Sequence, residues 1–208
     1  MLEIPGPAGP LEAIVEDPGG EPSALAVVCH PHPLYHGTMR NKVVHTLART
    51  ANRLGAPAVR FNFRGVGASG GTWDEGRGET ADALAVIGWA RDRWPDVPLW
   101  LAGFSFGAYV ALRTAPEARP AALVTVAPPV QRFPLGEAPE PGCPWLVVQG
   151  EADELVDYRE VLAWAEARSD RPRIESLPET SHFFHGRLGL LQEVVTNFLA
   201  GPETRDSR

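Results

Sequence analysis

Ser105 sits in Gly103-Phe104-Ser105-Phe106-Gly107, a G-x-S-x-G pattern between an apolar run, Pro98–Gly103, and a stretch with helical spacing. A serine on a tight strand-to-helix corner takes a strained backbone conformation, and small residues two places to either side remove the clashes. The hydroxyl then stands clear of the sheet, and the amide of Phe106 points to where a carbonyl oxygen would gather negative charge. That is the geometry of nucleophilic attack on an acyl group. A serine hydroxyl is a weak nucleophile by itself, so it needs a base, and the base needs an orienting group.

Both occur downstream. After the run Trp145–Gln149 come Glu151, Asp153, Glu154 and Asp157; after Arg173–Leu177 come His182 and His185. The order Ser, Asp, His is one of those in which such triads occur. Position in the loop favours Asp153, because Asp157 already begins the next helical stretch. The same reasoning favours His182 and leaves His185 as a loop or helix-cap histidine. A second oxyanion donor is expected from the loop after Ala24–Cys29, which reads His30-Pro31-His32-Pro33-Leu34-Tyr35-His36-Gly37. Pro31 and Pro33 have no N–H. The His32 amide is therefore the natural donor, with Leu34 as the alternative.

Two other chemistries are suggested by pattern and opposed by context. His30, His32 and His36 lie close in sequence, but His30 and His32 alternate on an extended segment and no acidic residue lies among them. Neither H-E-x-x-H nor C-x-x-C occurs, so no metal and no cofactor are expected. Gly65-Val66-Gly67-Ala68-Ser69-Gly70 matches G-x-G-x-x-G after a strand. Dinucleotide binding would require a helix to start inside that motif, and Gly71-Thr72-Trp73-Asp74 does not start one. The segment reads as a flexible loop, and Arg64 before it as a structural, hydrogen-bonding arginine.

The elements that must position these residues alternate along the chain. Leu11–Glu16, Ala24–Cys29, Pro57–Phe63, Pro98–Gly103, Ala121–Ala127, Trp145–Gln149 and Arg173–Leu177 read as strands, about seven in all. Helices are predicted over Asn41–Leu54, Thr80–Trp94, Phe106–Thr114 (ended by Pro116), Tyr158–Arg168 and Gly189–Leu199. Such alternation implies a mostly parallel twisted sheet flanked by helices. The first two strands, joined by Asp17-Pro18-Gly19-Gly20, are expected to pair antiparallel. Open sheets of this kind place chemistry beyond the carboxyl ends of their strands, where all the candidates above fall. Residues 1–200 are expected to form one domain, and 201–208 a disordered polar tail.

Composition narrows the partners. The chain has 208 residues and a formal charge of −7, which disfavours binding to nucleic-acid phosphates or anionic membranes. No apolar run reaches the ~20 residues of a membrane span, and Met1–Gly6 lacks the basic-then-apolar start of a signal peptide. Cys29 and Cys143 are expected to stay reduced, and the cytoplasm is the expected compartment.

Taken together, His30–Tyr35, Thr38–Val44, Phe63–Gly67, Gly103–Ala108 and His182-Phe183-Phe184-His185-Gly186 resemble a group of small bacterial hydrolases within the α/β-hydrolase superfamily, over almost the whole chain. The resemblance implies an α/β-hydrolase fold in minimal form without a lid domain, since only Pro128–Pro144 is available where larger members carry one. It also implies a Ser105–Asp153–His182 triad. His36 departs from the group, where glycine is usual. The expected activity is that of a carboxylesterase-like serine hydrolase acting on short to medium acyl groups through an acyl-enzyme, with a small-molecule ester or thioester as partner. The same triad would also serve a thioesterase or a serine peptidase/amidase, and a non-catalytic ligand-binding protein could keep the fold. Tyr35, Trp73, Phe106, Phe133, Phe183 and Phe184 are candidates to line the pocket, with His36 on its border.

Overall fold

The computed structural model describes residues 1–201. The part of the expected disordered tail beyond Gly201 lies outside the described residues. In chain order the strands are β1 (Leu2–Gly6), β2 (Gly9–Glu16), β3 (Leu25–Cys29), β4 (Ala58–Phe61), β5 (Leu99–Phe104), β6 (Ala122–Val126), β7 (Trp145–Gly150) and β8 (Arg173–Leu177). The helices are α1 (Lys42–Arg53), α2 (Arg77–Arg93), α3 (Phe106–Ala118), α4 (Tyr158–Glu166) and α5 (Leu188–Leu199).

One eight-stranded sheet runs in the order β1-β2-β4-β3-β5-β6-β7-β8. From β4 to β8 the neighbours are parallel, and β1 and β2 form an antiparallel edge. The period-two alternation of strand side chains divides the core into two layers. Leu25, Val27 and Cys29 of β3 face a layer shared with Val110 and Leu112 of α3, whereas Ala26 and Val28 face one shared with Val44 and Leu47 of α1. Because every residue of β3, β5, β6 and β7 is buried, these strands read as continuous apolar runs instead of alternating ones.

Three expectations need correction. The strand β1 was not expected; Pro5 and Gly6 hide it, since both are poor strand residues, and only pairing with β2 makes it one. Besides β1, the antiparallel partner of β2 is β4, with Ala13 opposite Phe61, and not β3. The turn at Asp17–Gly20 carries the chain away from the edge toward the centre, where β3 is free to take parallel neighbours on both sides. Pro116 does not end α3 early; it lies in the last turn and the helix closes at Arg119, in the left-handed conformation.

The chain reverses its direction of travel across the sheet between β3 and β5, which makes the crevice beyond their carboxyl ends a topological switch point. The glycine-rich segment after β4 serves the edge of the sheet. Glu12 accepts from Asn62 Nδ2 (2.7 Å) and Ala68 N (3.1 Å), and Gly70 N donates to Pro10 O (2.8 Å). No helix begins there; α2 starts at Arg77. Arg64 donates through Nε and a terminal nitrogen to both oxygens of Asp82 (3.0 and 2.8 Å), and its amide also donates to that carboxylate. Since the Asp82 side chain is fully buried, the pair locks this loop onto α2.

Removing one partner of a buried pair leaves the other charge uncompensated. Asp82→Ala is expected to lower stability by about 3 kcal/mol, read from the urea midpoint and slope. Arg173→Ala, which breaks an exposed pair with Glu175, should leave the midpoint nearly where it was.

Candidate active site

The corner between β5 and α3 is a single residue. Ser105 has φ 53° and ψ −120°, a conformation that costs a non-glycine residue on the order of 1–3 kcal/mol. It is held there because Ser105 N donates to Val126 O on the neighbouring strand (2.8 Å). Gly103 and Gly107 are needed for approach and not for φ. A Cβ on Gly103 would collide with the Gly107 carbonyl, and one on Gly107 with the Cys29 and His30 carbonyls. The helix is thereby pressed against β3 and β5, and the hydroxyl is turned out over the sheet.

The structure brings His182 and Asp153 to that hydroxyl. His182 Nε2 lies 3.2 Å from Ser105 Oγ, and His182 Nδ1 lies 2.8 Å from Asp153 Oδ2. The carboxylate is fully engaged: Oδ1 accepts from Leu155 N (2.9 Å) and Val156 N (2.8 Å), and Oδ2 also accepts from Gln149 Nε2 (3.0 Å). Burial pushes the Asp153 carboxyl up, but the His182 ring and the two amides outweigh it and hold the carboxyl below its ordinary range. Ala152 N donates to Thr180 O (3.1 Å), which joins the acid loop to the histidine loop. The other candidates have different partners. Glu154 accepts from the His182 backbone amide (3.1 Å), Asp157 caps α4 by accepting from Arg159 N (2.8 Å), and His185 is exposed beside Phe183.

The loop after β3 is fixed from within. His30 is buried, its Nδ1 donating to Pro31 O (2.6 Å) and its Nε2 accepting from Phe63 N (3.0 Å). Both ring nitrogens are thus committed to protein partners, which removes His30 as a metal ligand. The His32 ring lies among Tyr35, Trp73, Phe106 and Phe133, and its Nδ1 accepts from Leu34 N (3.2 Å), taking the alternative oxyanion donor out of play. The His32 amide itself donates to no other group among the described residues. Phe106 N, at the first position of α3, has no acceptor one turn earlier in the helix. His36 has φ 60°, the left-handed region that favours glycine.

A cavity of about 350 Å3 opens over Ser105 and His182, lined among others by Tyr35, His36, Phe106, Phe133 and Phe183. Phe184 belongs elsewhere: it is fully buried against Phe104 in the core below. Trp73 lines an adjoining cavity instead. Sequence reasoning missed Leu155 and Val156, although their place directly after Asp153 in a strand-end loop could have marked them. It also missed Pro129 and Arg132, for which the Pro-rich segment carries no local signal.

With this geometry in view, similarity to known proteins is informative. A family model described as "alpha/beta hydrolase fold" matches residues 34–141. An uncharacterised protein of Rickettsia prowazekii is 31% identical over 209 residues, spanning 93% of this chain and 86% of that one. A Xanthomonas campestris structure, described as an α/β serine hydrolase without lid, superposes with TM-score 0.90 at 44% identity, covering 96% of this chain and 92% of its own. A Coxiella burnetii structure, described as an α/β serine hydrolase homologue, gives TM-score 0.91 at 45% identity over 94% and 95% of the two chains.

The anchoring of the His30 loop has a pH signature. Burial draws the His30 imidazole from 6.5 down to about 3, so the folded chain holds it neutral while the unfolded chain protonates it below 6.5. Its contribution to stability is therefore complete above pH 6.5 and is lost progressively as pH falls toward 3, by up to about 1.4 kcal/mol per pH unit. His30→Gln should be less stable at pH 7.5 but lose less on acidification, compared by urea unfolding from pH 7.5 to 4.5. Parallel stability-versus-pH curves for the two proteins would show that His30 does not titrate this way.

Proposed function

The chain belongs to the α/β-hydrolase family, and on that premise we propose that it hydrolyses carboxylic esters of short to medium acyl groups through Ser105, His182 and Asp153. The observation that carries the reading is the hydrogen-bonded series from Asp153 through His182 to Ser105 at the floor of an open cavity. His182 Nε2 takes the Ser105 proton as Oγ bonds to the substrate carbonyl carbon, and the carbonyl electron pair moves onto oxygen. The His32 and Phe106 amides donate to that oxyanion; losing one such donor typically costs on the order of 3 kcal/mol in the barrier. The oxyanion then collapses, the bond to the leaving alcohol breaks, and the alcohol takes the proton from His182. Water repeats the sequence on the acyl-enzyme and frees the acid. Asp153, ionised throughout, orients the ring and stabilises its cation, which is what its depressed pKa serves.

The size and rim of the cavity support the acyl range. Tyr35, Leu155 and Phe183 line it and are 70%, 41% and 39% exposed, so the entrance is apolar and uncovered. A short chain fits inside, while a long one would extend into water and gain little more from burial.

Purified protein is expected to hydrolyse p-nitrophenyl butyrate, with Ser105→Ala lowering kcat by on the order of 10,000-fold or more. Equal rates in the two proteins would rule Ser105 out as the nucleophile. On p-nitrophenyl palmitate the rate should be lower than on butyrate; the reverse order would exclude the short-to-medium acyl range.

A further inference from the structure

A second cavity, of about 600 Å3, adjoins the one over Ser105 and shares His32, Tyr35, Arg132 and Phe133 with it. Its chemistry is different. Three arginines line it, Arg77, Arg113 and Arg132, in a chain whose formal charge is −7. Arg77 is neutralised by Asp74 (3.0 Å) and Glu75 (3.7 Å), and Glu75 is the carboxylate of this cavity. Arg113 and Arg132 have no carboxylate within 4 Å among the described residues, and this includes Glu137, which shares a smaller cavity with Arg113. Arg113 is nonetheless oriented: its guanidinium lies 5.5 Å from the centre of the Tyr109 ring and donates to Tyr109 Oη (3.2 Å). Tyr109 in turn stacks on Phe133 (4.8 Å, 28°), the aromatic wall common to both cavities. Two guanidiniums without a carboxylate partner, one of them preorganised, in a cavity that adjoins the one over Ser105 have the donor chemistry to receive an oxyanion.

We propose that this second cavity is the leaving-group subsite, where Arg113 and Arg132 hold a phosphate or carboxylate carried by the alcohol portion of the substrate. The inference rests on the acyl-transfer reading of Ser105. The two substituents of a carbonyl under attack leave it in different directions. An apolar acyl chain belongs with Leu155, Val156 and Phe183 in the cavity over Ser105. The alcohol then takes the other exit, past His32 toward the arginines.

Binding and turnover test this separately. Calorimetry on Ser105→Ala with n-butyl phosphate, pentanoate and pentan-1-ol reads the subsite without any need for catalysis. Either anion is expected to bind at least about tenfold more tightly than the alcohol, and Arg113→Gln with Arg132→Gln should bring that ratio toward one. Whichever of the phosphate and the carboxylate binds more tightly identifies the preferred oxyanion. Anions binding no better than pentan-1-ol, or a ratio that survives loss of both arginines, would overturn the proposal. In the Ser105 protein, kcat/KM for butyrate release from 1-butyrylglycerol 3-phosphate or 3-butyrylglycerate should exceed that from 1-butyrylglycerol about tenfold or more. Equal values for all three would overturn the leaving-group assignment. Arginine-dependent anion binding with no ester turnover at all would overturn the hydrolase reading and leave the oxyanion site standing.

Discussion

Everything in this molecule that bears on reactivity depends on how closely α3 approaches the sheet at Ser105. The residue is held in an unfavourable conformation, φ 53°, and stays there because the strands around it permit no alternative. Its amide is tied to β6, and the helix that follows is packed so tightly on β3 and β5 that neither flanking glycine could carry a β-carbon. Strain of a few kcal/mol is tolerable only where many buried contacts oppose its release. Here they are supplied by strands in which every residue is buried.

The loops beyond the carboxyl ends of the strands inherit that rigidity by different means. Prolines and a neutral, doubly bonded His30 stiffen the loop after β3. The loop after β7 is organised around the Asp153 carboxylate, which collects two backbone amides and Gln149 as well as His182. A buried carboxylate with that many donors stays ionised, so the same bonds that shape the loop also keep the Asp153 side chain charged.

Above the site the architecture is sparse. Only a 3-10 turn at Leu135–Glu137 interrupts the segment between β6 and β7, and apolar side chains stand exposed around the entrance. Arg132 and Phe133 from this segment nevertheless reach the wall between the two cavities, so a stretch without a lid still shapes what the site admits.

Local chemistry made much of this legible from the sequence. Continuous apolar runs marked the central strands, the two glycines flanking Ser105 marked the corner, and loop position separated Asp153 from Glu154 and Asp157, and His182 from His185. Each of these is decided within a few residues. What the sequence could not determine depends on residues far apart in the chain: the strand at Leu2–Gly6, the pairing of β2 with β4, the burial of Phe184 beneath the site, and the placing of Arg113 and Arg132 on one adjoining cavity. Neither arginine carries a motif, and their significance comes from lacking a carboxylate, a fact that exists only once all neighbours are in place. The sequence by itself determined which groups could react; tertiary packing decided which of them meet and which charges remain unpaired, because burial and pairing are properties of the assembled neighbourhood and not of the residue.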